Sequence, residues 1–321
     1  MSTKSKYSEI KNTLTGPIFT VFTPFSVDGE INYEQMEKYL FYLYSNKVRC
    51  YYVMPYNSRY SQLREDEIFQ VNDFVIKTLK NLDKENFVIV SDCIHGPTTL
   101  SAEYGYKAFD SGTDMFASIV REKYFSDRQI FSHFDFLSQK LEMPLLVHEM
   151  PFISGYDARN FKWPLSLLER LKDIEHIVAI KEDAKDLEYG KQVIETLEPD
   201  VRVIFAGKKR LINDLYNFGL KSYLNGTSIV NPDIAFLFWK SLEKNDKAMI
   251  ESIFLKIEDP FWDKIVSQFG WHRSNKAILE AAGLMDRFDR LPMEHLDEND
   301  FQIVRDFFEK YKDNFMKIAK S

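Results

Sequence analysis

Lys181 ends an uninterrupted apolar run, Ile177-Val178-Ala179-Ile180, where an ammonium is costly to bury without a partner or a task. Desolvation disfavours the charged form of an amine, so a lysine placed there moves toward the neutral nucleophile. A neutral amine attacks a ketone or aldehyde to give a Schiff base, whose protonated nitrogen accepts electron density when a neighbouring carbon–carbon bond breaks or forms. The bland alternative is that Lys181 snorkels out of the fold or pairs with Glu149 or Glu182. His148 is the second candidate, because an imidazole can relay protons during carbinolamine formation and bond cleavage. Side chains alternate along a strand, so only one of His148 and Glu149 faces the interior; an inward His148 stands beside Lys181. A core histidine satisfied by a backbone carbonyl is the competing reading.

Further polar groups gather where other apolar runs end. Pro55-Tyr56-Asn57-Ser58-Arg59 follows Cys50-Tyr51-Tyr52-Val53-Met54; Asp92 and His95, then Arg121-Glu122-Lys123, follow the next runs; Gly207-Lys208-Lys209-Arg210 and Asn225-Gly226-Thr227 come later. Tyr56, Asn57, Arg59 and Asn225 are the candidates to shape a substrate pocket, and the Arg59 guanidinium is of the type that holds a carboxylate bidentately. Asp92, His95, Glu122, His148 and Glu182 offer nitrogen and oxygen donors, but no HxH, HxxxH or paired-cysteine spacing accompanies them, so no metal site is expected. The basic stretch after Gly207 reads as a solvated loop at a helix start.

These groups need a repeated scaffold. From Gly16 onward, β-branched and aromatic runs alternate with longer amphipathic segments, the pattern of βα units and a parallel sheet. Strands are predicted near residues 17–23, 50–55, 87–92, 115–120, 144–149, 177–181, 201–206 and 222–226, with helical periodicity between them. The expectation is an α/β fold, a (β/α)8 TIM barrel over residues 1–245, whose reacting groups sit at the carboxyl ends of the strands. Residues 246–321 read as helical from about Lys247 to Ala319 and are too short for a core of their own, so they are expected as a C-terminal helical appendage packed on the barrel.

The formal charge of −7, with Lys and Arg scattered among acids, argues against a nucleic-acid partner, which needs clustered cations, and none is expected. No stretch approaches the roughly 18 apolar residues of a membrane helix, and MSTKSKYSEI lacks the apolar core of a signal peptide. Cys50 and Cys93 sit in or beside apolar runs and read as buried thiols of a reducing compartment, so a cytoplasmic setting is expected.

In order, the motifs resemble the dihydrodipicolinate synthase and N-acetylneuraminate lyase family of class I aldolases. Gly16-Pro17 to Thr23-Pro24-Phe25 with Asp28-Gly29 is similar to the family's opening strand and turn. Leu63, Glu65 and Glu67, then Pro151 and Gly155, then Lys181 in the Schiff-base position follow in register, as do Gly207, Gly219, Asn231-Pro232, Lys276, Gly283, Arg290 and Pro292. The resemblance implies a Schiff base on Lys181, a small-molecule carbonyl substrate, no metal or organic cofactor, and a homo-oligomer, commonly a tetramer and otherwise a dimer.

Departures from the family pattern point to an altered pocket. Where the family has a Gly-Thr-Thr-Gly-Glu loop that holds the carboxylate of pyruvate, this chain has Pro55, Tyr56, Asn57, Ser58 and Arg59; proline removes an N–H and Tyr56 replaces a small hydroxyl. His148 stands where the family has a catalytic tyrosine, and Ile153 where the synthases have an arginine for a second carboxylate, which argues against dihydrodipicolinate synthesis. A tyrosine lent by a neighbouring subunit in some members falls near residues 122–124. Two readings result: a Schiff-base lyase or aldolase on a small keto acid or sugar-derived carbonyl, and a non-catalytic barrel that binds a metabolite or a protein partner.

Overall fold

In a computed structural model of the chain, residues 7–92, 96–120, 125–150, 162–198 and 200–318 are described. Eight parallel strands pair in sequence order and close on themselves: β1 (Gly16–Thr20), β2 (Cys50–Val53), β3 (Phe87–Ser91), β4 (Met115–Val120), β5 (Leu145–Glu149), β6 (Ile177–Glu182), β7 (Arg202–Ala206) and β8 (Ser222–Asn225). Alternation along each strand sorts the apolar residues into two shells. Ile18, Tyr52, Ile89, Met115, Ala117, Leu146, Ala179 and Ile204 fill the interior. Their neighbours, among them Phe19, Tyr51, Val90, Phe116, Ile180 and Phe205, pack outward against the helices. The barrel is therefore a filled core with chemistry left only at its rim.

The connecting helices are α2 (Tyr33–Ser45), α3 (Glu65–Leu82), α4 (Thr98–Ser111), α5 (Asp127–Leu141), α6 (Leu165–Leu171), α7 (Leu187–Leu197), α8 (Lys209–Tyr216) and α9 (Pro232–Glu243). Their starts follow local chemistry: Asn32 accepts from Gln35 N at 3.0 Å, Asp186 from Tyr189 N at 2.8 Å, and Asn231 precedes a proline at the first helical position. A short helix that the sequence pattern does not announce, α1 (Ser8–Thr13), covers the other end of the barrel. Flanking Tyr7 and Leu14 join the interior cluster, and Arg202 donates to Lys11 O at 2.8 Å.

The strand expectations hold, with shifted ends. β1 stops at Thr20 rather than at residue 23, because beyond Val21 the chain bends so that the Thr23 hydroxyl donates to Ser58 O at 2.6 Å. The C-terminal region is less regular than expected. A helical run over 247–269 contains two π-helical stretches, Phe254–Glu258 and Trp262–Val266, and is followed by α10 (Trp271–Ala281) and α11 (Glu298–Lys317). Residues 283–297 between those helices are not helical: Gly283 adopts φ +72°, and the Arg290 guanidinium turns back to Glu67 at 2.7 and 2.9 Å. Ile253, Phe261, Ile265, Phe301 and Phe308 belong to the same apolar cluster as the barrel's outer shell.

Candidate active site

β5 and β6 pair with His148 opposite Lys181, so parity places both side chains inside the barrel rim. His148 Nε2 lies 2.8 Å from Lys181 Nζ, and Nζ also donates to Asp183 Oδ2 at 2.7 Å. The same carboxylate oxygen is 3.7 Å from His148 Nε2. On the far side of the ring, the Tyr52 hydroxyl of β2 is 2.9 Å from His148 Nδ1. All of these side chains are buried.

Glu149 and Glu182 point the other way. Glu149 accepts from Trp163 N at 2.9 Å and from the Tyr189 hydroxyl of α7 at 3.3 Å, and Glu182 accepts from Ala184 N. The lysine's acidic partner is therefore Asp183, two residues on, and not Glu149 or Glu182.

The electrostatics favour a mobile proton on Lys181. Burial pushes its ammonium below the ordinary lysine value, and Asp183 opposes that shift without cancelling it. Burial would raise the Asp183 carboxyl, but Lys181 and Lys185 outweigh it and hold the group well below the usual carboxylate range. Asp183 thus stays ionised and is a poor proton acceptor. The remaining acceptor in contact with Nζ is His148 Nε2, whose imidazolium would lie near the Asp183 charge.

The loops around this cluster carry backbone that few side chains adopt: Met54 (φ +69°), Arg59 (φ +64°) and Lys185 (φ +59°) are all left-handed. The loop after β2 is tied down: Met54 N donates to Ser58 Oγ at 3.0 Å, and Ser58 Oγ donates to Val21 O.

Lys181, His148 and Asp183 open into a cavity of about 660 Å³ at the carboxyl end of the barrel. Tyr56, Asn57 and Asn225 are among the residues that line it. Asn57 receives the Trp271 indole N–H at 2.9 Å and donates to Thr20 Oγ1 at 3.2 Å. Asn225 is buried, and neither its amide oxygen nor its amide nitrogen has a partner among the described residues. Arg59 departs from the expectation. Its guanidinium turns away, pairing with Asp289 at 2.8 Å and donating to His272 O at 2.9 Å, because the C-terminal region supplies a buried acid. It is not among the cavity-lining residues.

The C-terminal region instead gives the cavity a wall that sequence reasoning missed. Trp262 and Trp271 stack with centroids 4.9 Å apart, and Trp271 closes over Gly226, where a Cβ would meet its ring at 2.7 Å. His272 joins them. Burial, then Arg59 and Lys185, hold its imidazole far below the ordinary value, so it is neutral, and since Nδ1 faces the Arg59 donor at 3.1 Å its proton sits on Nε2.

The basic stretch after Gly207 is not one solvated loop. Lys209 is buried against Glu258 at 3.2 Å and Thr227 at 2.7 Å, Arg210 pairs with Asp259 at 2.7 Å, and Lys208 alone of the three is exposed. Cys93, His95, residues 121–124, Pro151, Ile153 and Gly155 lie outside the described residues. Among the described residues no group of three or more His, Cys, Asp or Glu side chains is arranged to hold a metal, and no helix is long and apolar enough to cross a membrane.

The sequence profile of the dihydrodipicolinate synthetase family matches residues 13–310. A curated 4-hydroxy-tetrahydrodipicolinate synthase from Psychrobacter sp. (strain PRwf-1) is 22% identical over 296 residues, 92% of this chain and 94% of the relative. The crystal structure of dihydrodipicolinate synthase from Oceanobacillus iheyensis superposes with a TM-score of 0.81 at 19% identity, covering 95% of this chain and 99% of that one. N-acetylneuraminate lyase from Mycoplasma synoviae superposes at 0.80 with 20% identity, covering 96% and 99%.

Proposed function

This chain belongs to the dihydrodipicolinate synthetase family, and on that premise we propose that it is a Schiff-base-forming lyase or aldolase with Lys181 as nucleophile. The observation that carries the reading is the Lys181 amine, buried between His148 and Asp183 and facing a cavity large enough for a small carbonyl compound. Nζ passes its proton to His148 Nε2 and attacks the carbonyl carbon. The developing hydroxyl takes the amine's second proton to give a carbinolamine. The imidazolium then protonates that hydroxyl, water leaves, and a protonated imine remains on Lys181. In the lyase direction His148 accepts the proton of a substrate hydroxyl, and the electron pair of the breaking carbon–carbon bond moves into the imine to give an enamine. Asp183 stabilises the imidazolium, and Tyr52 holds the ring from its other nitrogen.

The relatives are named as synthases, yet the loop after β2 carries Pro55 and Tyr56 at the cavity wall, and we take this pocket to be rebuilt for a carbonyl compound other than pyruvate. A non-catalytic barrel would have no use for a buried amine whose ion pair has to be desolvated. The test is to incubate the protein with 2-keto acids, aldehydes and sugar aldehydes, reduce with borohydride and map adducts by peptide mass spectrometry. An adduct on Lys181 that is lost in Lys181→Met supports the reading. Trapping with pyruvate alone would overturn the rebuilt pocket, and no adduct with any carbonyl would overturn the reading itself.

A further inference from the structure

The cavity is chemically two-ended. Lys181, His148 and Asp183 occupy its inner end, and a lysine stands at its mouth. Lys208 is exposed at the turn between β7 and α8, makes no ion pair among the described residues, and lies 4.8 Å from the Trp262 ring centroid. Lys185 stands on the neighbouring turn after β6, and its Nζ, 3.6 Å from Asp183 Oδ1, is already partnered. Arg210 is matched by Asp259 and Glu251, so it adds no net charge to the mouth. Between the two ends the wall is apolar and aromatic: Leu187, Leu211, Leu224 and the stacked Trp262 and Trp271. Asn225 borders this wall, and among the described residues neither its amide oxygen nor its amide nitrogen has a partner.

Resting on the Schiff-base reading above, we propose that the substrate is a carbonyl compound that carries an anionic group, carboxylate or phosphate, remote from the reacting carbon. The carbonyl sits at Lys181, the anion lies at Lys208, and a flat or apolar segment between them lies along Trp262 and Trp271. The position of the anion follows from charge. At the inner end Lys181 is already paired with an ionised Asp183, whereas at the mouth Lys208 has, among the described residues, an indole face and no ion-pair partner; the cation is stabilised against that face while its outward side is left for an anion.

Matched probes separate this inference from the Schiff-base reading. Benzaldehyde, 4-formylbenzoate and 4-formylphenyl phosphate carry the same carbonyl and ring and differ in the remote group. Borohydride trapping on Lys181 is expected to reach half-maximum at about tenfold lower concentration for an anionic probe than for benzaldehyde, and the ratio is expected to fall to within twofold in Lys208→Glu. The better of the two anionic probes tells carboxylate from phosphate. Equal trapping of charged and neutral probes on wild-type Lys181 overturns the remote-anion inference and leaves the Schiff base standing. A second measurement needs no imine: tryptophan fluorescence titrated with 4-(hydroxymethyl)benzoate and with benzyl alcohol. Tighter binding of the carboxylate, lost in Lys208→Glu, upholds the anion subsite even if nothing traps on Lys181; equal binding overturns it.

Discussion

His148 Nε2 stands 2.8 Å from Lys181 Nζ, and the two residues are register partners on adjacent strands. The contact is thus fixed by backbone pairing and not by a loop. It makes the imidazole the base that takes the amine's proton, while Asp183, at 2.7 Å from Nζ and held ionised, balances the charge that the transfer creates.

If that transfer is part of imine formation, His148→Phe slows trapping of an aldehyde on Lys181 near neutral pH by about 100-fold, the usual worth of a positioned general base. Tyr52→Phe, which removes only the hydrogen bond to Nδ1, costs less than about tenfold. Rapid-quench borohydride trapping reads both; a His148→Phe rate equal to wild type removes the histidine from the mechanism.

Asp183 supplies a pH-dependent part of stability. A carboxyl held below its ordinary value contributes stability above the ordinary 3.8 and loses it as pH falls toward the folded-state value. Asp183→Asn leaves a buried cation unbalanced, so the variant unfolds with about 3 kcal/mol less stability near pH 7, and its deficit shrinks as pH is lowered below the carboxylate range. Denaturant unfolding at neutral and acidic pH measures the gap; a gap independent of pH contradicts the assignment.

The outward carboxyls behave in the opposite sense. Burial raises Glu149 to about 7, and burial together with Glu149 raises Glu182 well above its ordinary value. A raised acid contributes full stability below the ordinary 4.5 and loses it as pH climbs to about 7. Glu149→Gln keeps an acceptor for Trp163 N–H but cannot ionise. It is expected to match wild type near pH 4 and to exceed it by about 1–3 kcal/mol above neutrality, as read by thermal or denaturant melts.

Gly226 is a packing requirement of the cavity wall. Its φ of −114° is open to any residue, so the constraint is space: an added Cβ would lie 2.7 Å from the Trp271 ring. Gly226→Ala therefore costs about 1–3 kcal/mol and shifts the tryptophan emission as Trp271 moves. An unchanged spectrum and melting temperature would show that the ring is not held there.

The barrel was legible because strand and helix periods differ and alternate through the chain, and because a parallel strand buried on both faces reads as a short apolar run. Strand placement also carried Lys181 and His148 to one rim. What the sequence did not reveal is long-range. Asp183 was visible beside Lys181, but which acid pairs with the amine depends on the turn after β6. Tyr52 lies one layer deeper, in a run whose aromatic residues read as core. Arg59 was assigned to the substrate because Asp289, 230 positions away, is placed against it only by the folded C-terminal region. The wall of Trp262, Trp271 and His272 arises the same way, from a region whose helical pattern says what it forms and not where it docks.

The central claim is that Lys181 is an amine poised for carbonyl attack. The most direct measurement is the pH dependence of reductive labelling by a small aldehyde and cyanoborohydride, followed peptide by peptide, with exposed lysines such as Lys38 and Lys77 as internal references. Lys181 is predicted to label faster than they do near neutral pH, with a midpoint below the ordinary lysine value of 10.5. Labelling of Lys181 no faster than the exposed lysines, with a midpoint at or above that value, contradicts it.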